Sequence, residues 1–241
     1  MKKKPSQAVV WITGADSGIG QQLAIQFSII GCNVILSARS VTKLKKTKKI
    51  INKLGGEAYI EPLNLSDIKK INLVYRKIEH KFGPVDVLVN NAGITSFKNF
   101  QETSTKDFKT ILDINLVAPF VLIKNVLPKM IQNNDGWIIN ILSVTAIKIF
   151  KNSAAYTASK MGLKGLTNVL REEIRGHNIK VLSVFPGATA TPIWGDKLER
   201  FRTRMMSPES VAEIIVSLYR LAPKDAMVEE IIMRPIGGDL E

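Results

Sequence analysis

The segment YTASK at residues 156–160 holds a phenol and an ammonium group at a spacing that suits proton transfer. Tyr156 and Lys160 are four residues apart, and the flanking sequence NSAAYTASKMGLKGLTNVLREEIRG has the pattern of a helix. Four residues make one helical turn, which brings the two Cβ atoms to about 5–6 Å from one another. The pair has the geometry of an acid–base device if the rest of the chain delivers a substrate to it.

Apolar runs of strand length alternate with longer amphipathic stretches along the chain. The predicted strands are 8–14, 33–39, 57–65, 85–93, 136–143, 179–187 and 227–235. The predicted helices are 18–30, 41–54, 66–82, 105–133, 154–176 and 208–221, the last with Ser207 as N-cap and Pro208 at its first position. Strands that are apolar on both faces and separated by helices are typical of a covered parallel sheet. The sequence predicts an α/β fold, a doubly wound parallel seven-stranded sheet with helices on both faces.

The first predicted strand runs into a glycine-rich loop, TGADSGIG, at residues 13–20. Ligands of open parallel sheets bind beyond the carboxyl ends of the strands, where this loop lies. Gly14, Gly18 and Gly20 allow the backbone to turn tightly and to approach a pyrophosphate, and the N-terminus of the next helix attracts the anion. The loop predicts a bound dinucleotide.

The end of the second strand predicts which dinucleotide is bound. Enzymes that select NAD commonly place a carboxylate there to hold the 2′-hydroxyl of the adenosine ribose. This chain has Arg39 and Ser40 instead. Because a guanidinium group matches a phosphate, we expect NADP(H) to be preferred over NAD(H), with the lysines of 43–49 adding long-range attraction.

Further motifs follow in a fixed order and spacing. They are NNAG at 90–93, Asn115 in LDINL, Ser143 at the end of INILS, YTASK at 156–160 and PGATATP at 186–192. Together with TGADSGIG, they make the chain resemble the short-chain dehydrogenase/reductase family over essentially its whole length. The resemblance implies a Rossmann fold and an oxidoreductase that transfers hydride between a nicotinamide cofactor and a carbonyl or alcohol substrate.

The resemblance also implies roles for individual residues. Tyr156 exchanges a proton with the substrate oxygen, and Lys160 assists it and reaches the nicotinamide ribose. Ser143 holds the substrate oxygen, while Asn115 anchors, through its backbone or its amide, a water that links Lys160 to solvent. The implied cofactor-binding residues are Gly14, Asp16, Ser17, Gly18, Ile19, Gly20, Arg39, Ser40, Asn64, Leu65, Asn91, Ala92, Gly93, Tyr156, Lys160, Pro186, Gly187, Thr189 and Thr191.

Two positions depart from the family pattern. Asn64 replaces an aspartate that contacts the adenine amino group, although an amide oxygen still accepts that hydrogen bond. Ser17 stands where relatives that prefer a phosphorylated cofactor often carry Lys or Arg, which leaves more of the selection to Arg39.

The proposed role of Tyr156 requires a change in its pKa. A phenol with an ordinary pKa near 10 is a poor base at neutral pH. An ammonium group at about 4 Å in a half-solvated site contributes on the order of 4 kcal/mol, which is nearly three pKa units. We therefore expect Lys160 to lower the pKa of Tyr156 into the working range.

The long connection TPIWGDKLERFRTRMMSPES after the sixth strand predicts a lid, at about 188–208. The candidate substrate contacts are Ser143, Thr145, Phe150, Tyr156 and Trp194. We expect a small carbonyl or alcohol compound as substrate. Two alternatives stay open: an enzyme like 3-oxoacyl acyl-carrier-protein reductase, and a regulatory module that binds NADP(H) without turnover.

Composition restricts the remaining classes. The 241 residues are 45% hydrophobic with a net charge of +13, but no apolar run is long enough to span a bilayer. We expect a cytoplasmic protein with a basic segment at 1–7 and one domain at 8–241, without membrane contact. The lysines of 43–49 lack interleaved aromatic residues, which argues against nucleic-acid binding.

Other residue types add little chemistry. Neither His80 nor His177 lies in a metal-binding pattern, so no metal is expected, and the single Cys32 excludes an internal disulfide. The strongly apolar helix predicted at 105–133 and the helix at 154–176 suggest subunit contacts. With the family resemblance, they predict a homo-tetramer or a homo-dimer.

Overall fold

A computed structural model describes residues 8–223 and 225–240, so the predicted basic segment 1–7 lies outside the described residues. Seven strands form one parallel sheet in the order β3-β2-β1-β4-β5-β6-β7. They are β1 Val9–Thr13, β2 Asn33–Ser37, β3 Ala58–Ile60, β4 Val87–Asn90, β5 Gly136–Ile141, β6 Ile179–Pro186 and β7 Glu230–Met233. The predicted doubly wound parallel sheet of seven strands is confirmed.

Within the described residues, eight α-helices connect or follow these strands. They are α1 Gly18–Ile29, α2 Val41–Lys53, α3 Ile68–Phe82, α4 Thr105–Leu112, α5 Ala118–Asn133, α6 Ala154–Glu173, α7 Lys197–Phe201 and α8 Pro208–Leu221. Side-chain N-caps fix several of their first turns. The predicted start of the last helix is confirmed, since Ser207 Oγ accepts a hydrogen bond from the Ser210 N–H at 3.1 Å.

The central strand β1 is apolar because it is covered on both sides. Val10 and Ile12 belong to the core layer that contains α1 and α8, whereas Val9 and Trp11 belong to the layer that contains α3 and α5. The chain leaves β1 toward β2 and β3 and then returns to β4 on the other side. The strand order therefore reverses between β1 and β4, which is where open α/β sheets bind ligands.

The helix predicted over 105–133 is confirmed in its bounds, but its central turn is π-helical instead of α-helical. A π-helical turn, Asp113–Val117, separates α4 from α5 and contains the fully buried Asn115. Such turns occur often at functional sites. By length and composition alone, Thr105–Asn133 is the one stretch of the described residues able to cross a membrane. Packing on α3 and the sheet accounts for much of its apolar content, through Ala118, Leu122, Val126 and Met130.

The connection after β6 forms a loop whose two ends, at Thr189 and Met206, lie side by side. Thr189 pairs with Met206 in an isolated bridge, and the Ala190 N–H donates to the Met206 carbonyl oxygen at 2.9 Å. Short helical turns and α7 lie between these two points. This excursion falls within 188–208, where the sequence predicts the lid.

Candidate active site

A cleft of about 1180 Å³ opens at the carboxyl edge of the sheet. Most residues that the sequence nominates line it: Gly14, Asp16, Ser17, Gly18, Ile19, Arg39, Asn64, Leu65, Asn91, Ala92, Gly93, Ser143, Thr145, Phe150, Tyr156, Lys160, Pro186, Gly187, Thr189, Thr191 and Trp194. Gly20, Ser40 and Asn115 do not line it. The fold thus brings residues from the ends of six strands, β1 to β6, to one cavity.

The glycine loop at the end of β1 has no room for side chains. Gly14 and Gly18 have φ angles of 65° and 55°, in the left-handed region that favours glycine. A Cβ atom on Gly14 would lie 2.8 Å from Asn91 Nδ2, and one on Gly18 would lie 2.8 Å from Thr191 Cγ2. Glycine at these two positions therefore lets the loop pack closely against the residues that follow β4 and β6.

Gly20 and Asn91 support this loop from within the fold. A Cβ atom on Gly20 would lie 2.3 Å from the Gly14 carbonyl oxygen, so this glycine lets α1 pack closely on the loop. Asn91 Nδ2 donates to the carbonyl oxygens of Thr13 at 2.9 Å and of Gly14 at 3.2 Å. The Asn91 side chain thus ties the end of β4 to the end of β1.

Two cations stand at the end of β2. Arg39 is exposed and lines the cleft together with Lys43, which the sequence marks only as part of a basic stretch. The Ser40 hydroxyl is the N-cap of α2 and accepts a hydrogen bond from the Lys43 N–H at 3.3 Å. The first turn of α2 therefore places Lys43 near Arg39, while the Ser40 hydroxyl is engaged by the helix.

Asn64 and Leu65 line the cleft after β3. The Asn64 Oδ1 accepts a hydrogen bond from the Ser66 N–H at 3.3 Å. The amide oxygen that the sequence assigns to adenine thus already has one partner within the chain, although a second lone pair is left.

Tyr156 and Lys160 lie one turn apart on α6 and both line the cleft. Lys160 Nζ is 5.7 Å from the centroid of the Tyr156 ring and donates to the Ile141 carbonyl oxygen at 2.7 Å. Burial lowers the pKa of Lys160 to about 8, so the Lys160 amine is mostly protonated at neutral pH. The lysine is therefore a buried cation held at the end of β5.

The expected lowering of the Tyr156 pKa is wrong for the chain's own groups. Burial raises the pKa of Tyr156 to about 12, and a hydrogen bond with Ser143 opposes that rise. The ammonium charge of Lys160 would dominate only in a half-solvated site. Removal from water penalises the phenolate more than these neighbours stabilise it.

Ser143 ends the connection from β5 and begins a short helical turn, Val144–Ala146. Its Oγ accepts a hydrogen bond from the Thr145 N–H at 3.2 Å. The hydroxyl hydrogen is left to be donated, and the contact with Tyr156 places both hydroxyls on one wall of the cleft.

Asn115 lies behind this wall. Its Oδ1 accepts from the Ile94 N–H at 2.9 Å, and its Nδ2 donates to the Ile94 carbonyl oxygen at 2.9 Å and to Ser159 Oγ at 3.0 Å. These bonds use both amide hydrogens and one lone pair of the amide oxygen, so a relay water on the Asn115 side chain stays a prediction that only the second lone pair can serve. The backbone alternative stays a prediction, and the side chain joins the loop after β4 to α6.

Comparison with known proteins accounts for this arrangement. The sequence profile of the short chain dehydrogenase family matches residues 8–200. The chain belongs to the short-chain dehydrogenase/reductase family. The predicted family and the predicted enzyme class, an oxidoreductase, are therefore confirmed.

Individual relatives agree over nearly the whole length. A sepiapterin reductase of Chlorobaculum tepidum is 32% identical over 240 residues, covering 97% of this chain and 98% of that protein. A 3-oxoacyl acyl-carrier-protein reductase of Thermotoga maritima is 35% identical over 219 residues, covering 87% and 89%. The crystal structure of a metagenomic short-chain oxidoreductase in complex with NADP has a TM-score of 0.85 at 32% identity, covering 97% and 99%.

In this short-chain dehydrogenase/reductase, aromatic rings join the predicted lid segment, 188–208, to the loop after β4. Trp194 stacks on Phe97 with ring centroids 5.6 Å apart and planes at 26°. Lys197 Nζ lies 4.6 Å from the Phe97 centroid. Sequence reasoning missed Phe97, although a residue shortly after a strand end that carries NNAG is a reasonable candidate for the site.

The segment after β7 also reaches the cleft of this enzyme. Gly237, Asp239 and Leu240 line it, and Asp239 Oδ2 accepts hydrogen bonds from Lys148 Nζ at 2.9 Å and from Arg234. No motif in the sequence marks this segment, because its position depends on an ion pair between residues far apart in the chain.

Proposed function

We propose that this protein is a carbonyl reductase that uses NADP(H), with Tyr156 as the proton donor. The observation that supports the proposal is the meeting of Tyr156, Ser143 and Lys160 on one wall of a cleft that also contains the glycine loop. Membership of an oxidoreductase family makes that wall the candidate reaction centre.

Reduction of a carbonyl group adds a hydride to its carbon atom and a proton to its oxygen atom. A reduced nicotinamide dinucleotide, when bound, supplies the hydride. Tyr156 donates its hydroxyl proton to the substrate oxygen and becomes a phenolate, while Ser143 donates a hydrogen bond to the same oxygen. The raised pKa keeps Tyr156 protonated at neutral pH, and transfer is favourable because an alkoxide is a stronger base than a phenolate. The buried Lys160 cation then stabilises the phenolate.

The residues of the cleft fit a phosphorylated dinucleotide. Gly14 and Gly18 leave the loop without side chains, which suits the close approach of a pyrophosphate to its backbone. Among the described residues, the cations lining the cleft are Arg39, Lys43, Lys148, Lys151, Lys160 and Lys197, and the acidic ones are Asp16 and Asp239. This balance attracts an anion. We assign the 2′-phosphate to Arg39 and Lys43, which supports NADP(H) over NAD(H), as do relatives with bound NADP.

Replacement of the proposed proton donor tests this function. Tyr156→Phe removes only the hydroxyl group, so kcat with a panel of aldehydes and ketones should fall by about 10²–10⁴-fold. NADPH affinity, measured by fluorescence titration, should change by no more than about fivefold, since a hydroxyl is worth on the order of 1 kcal/mol. The matched control is Tyr59→Phe on β3, where the hydroxyl bonds to Glu57 at 2.9 Å away from the cleft. Turnover by Tyr156→Phe at the wild-type rate would refute the mechanism.

A carrier-protein substrate is the second candidate. The side chains of Lys45, Lys48, Lys49 and Lys53 form a basic patch on α2, which suits an acidic carrier, and one relative is a reductase of that type. An acetoacetyl carrier protein would then have a KM that rises steeply with salt, whereas a small ketone would not. Tight NADPH binding without turnover of either substrate would favour the non-catalytic module.

We also propose that the protein is a homo-oligomer built on α5 and α6. Phe120, Met161 and Val169 are 48%, 41% and 57% exposed in the single chain, which is unusual for large apolar side chains on two neighbouring helices. Light scattering should give a dimer or tetramer mass for the wild type and a smaller mass for Phe120→Glu. A monomeric wild type would overturn this proposal.

A further inference from the structure

Three buried polar atoms without a partner belong to residues that line the same cleft. Among the described residues, four buried side-chain atoms lack a hydrogen-bond partner: Asn90 Oδ1, Thr95 Oγ1, Thr145 Oγ1 and Asp239 Oδ1. The last three belong to residues that line the cleft, and Asn90 does not. A buried polar atom without a partner costs about 1–3 kcal/mol, so their concentration in one cavity indicates a ligand that supplies the partners.

Asp239 is the charged member of this set and is held firmly. The Gly187 N–H donates to the Met233 carbonyl oxygen at 2.7 Å, which fixes the end of β7 beside the cleft. Gly238 has a φ angle of 85° and its N–H donates to the Pro235 carbonyl oxygen at 2.8 Å, so a turn directs the next residue back. The Asp239 side chain is only 9% exposed.

The two carboxylate oxygens of Asp239 have different surroundings. Oδ2 accepts hydrogen bonds from Lys148 Nζ at 2.9 Å and from Arg234, whereas Oδ1 has no partner. Lys148 belongs to the loop that starts at Ser143, because its N–H donates to the Val144 carbonyl oxygen at 2.8 Å. The ion pair therefore fixes Asp239 against the loop that begins at Ser143, the proposed hydrogen-bond donor to the substrate oxygen.

We propose that Asp239 determines substrate specificity by accepting, at Oδ1, a hydrogen bond from an N–H or O–H group of the substrate. The inference rests on the proposed function and names its substrate class: a carbonyl compound that carries a hydrogen-bond donor in addition to the reacting carbonyl. Thr95 and Thr145 add hydroxyls that both donate and accept. A ketone without a donor leaves a desolvated carboxylate oxygen unpaired, so the site rejects it.

Matched pairs of ketones that differ by one donor test this inference. Suitable pairs are isatin with N-methylisatin and 3-hydroxyacetophenone with 3-methoxyacetophenone, assayed as kcat/KM at saturating NADPH. The wild type should prefer the donor-bearing member of a pair by at least about tenfold. In Asp239→Ala the ratio should fall to about one, and in Asp239→Asn, which keeps a neutral acceptor, it should be intermediate.

Asp225→Ala is the matched control, because this aspartate is exposed in the loop before β7. Its ratio should equal that of the wild type. If Asp239 only anchors the segment after β7, Asp239→Ala will slow both members of a pair equally and the ratio will persist, which overturns the inference. A wild type without preference overturns it as well. If the wild type reduces no carbonyl compound at all, the proposed function fails and the inference fails with it.

Discussion

The glycine-loop end and the lid end of the cleft are built by different means. Around Gly14 and Gly18, one added carbon atom would lie 2.8 Å from a side-chain atom of Asn91 or Thr191, so a tightly packed glycine backbone defines this end. At the lid end, contacts between side chains of distant segments define it, as in the stacking of Phe97 on Trp194. The glycine-loop end suits one kind of ligand, a dinucleotide. The lid end can bind different substrates when its side chains differ.

This contrast predicts that the glycine-loop end tolerates no added atom. Gly18→Ala places a Cβ atom against Thr191 and forces an L-residue to a φ of 55°, which costs about 1–2 kcal/mol before the clash is counted. NADPH affinity measured by calorimetry should fall by about 100-fold. Gly165→Ala is the control, since a Cβ atom there meets nothing within 4 Å. Affinity within threefold of the wild type in Gly18→Ala would show that the loop is not the rigid part of the cleft.

Lys160 lies where the two ends meet, and its burial predicts a dependence of stability on pH. Its pKa is about 8 in the folded chain and 10.5 in the unfolded chain, so the unfolded chain binds more protons between these values. Stability attributable to this residue therefore rises as the pH increases from about 8 toward 10.5.

Lys160→Met lacks this titration. Between pH 7 and pH 10, the free energy of unfolding of the wild type should gain up to about 3 kcal/mol relative to this variant, as measured by urea denaturation. The exposed Lys109 supplies the control, and Lys109→Met should track the wild type at every pH. Parallel pH profiles for the wild type and Lys160→Met would mean that the lysine is solvated and that the boundary between the two ends is open to water.

Substitutions at the outer edge of the glycine-loop end, where Arg39 lies, should have smaller effects than substitutions in the loop itself. Arg39 is exposed, so its contact with a phosphate is partly screened. Arg39→Ala should reduce the preference for NADPH over NADH by about tenfold in kcat/KM, which is the loss of one charge-assisted hydrogen bond. Arg200→Ala, which removes an exposed arginine of α7, should leave the preference unchanged. An unchanged preference in Arg39→Ala would mean that residues other than Arg39 select the 2′-phosphate.

The same contrast explains how far the sequence alone predicts this protein. The glycine loop and the strand ends were predictable, because each depends on a local backbone conformation or on the topology of a parallel sheet. The rise in the Tyr156 pKa was not, because it depends on how α6 packs against β5. Phe97 and Asp239 were missed since their partners, Trp194 and Lys148, are distant in sequence. The π-helical turn around Asn115 also has no local signal in the sequence.

The lid end should respond weakly to the loss of a single ring. Phe97→Ala removes the partner of Trp194 and leaves the lid otherwise attached through its base at Thr189 and Met206. An aromatic pair is worth about 0.5–1.5 kcal/mol, so KM for an aromatic ketone should rise by about three- to tenfold, with kcat and NADPH affinity nearly unchanged. Phe100→Ala is the control, because that ring is 83% exposed. A large loss of NADPH affinity in Phe97→Ala would show that the glycine-loop end and the lid end are coupled.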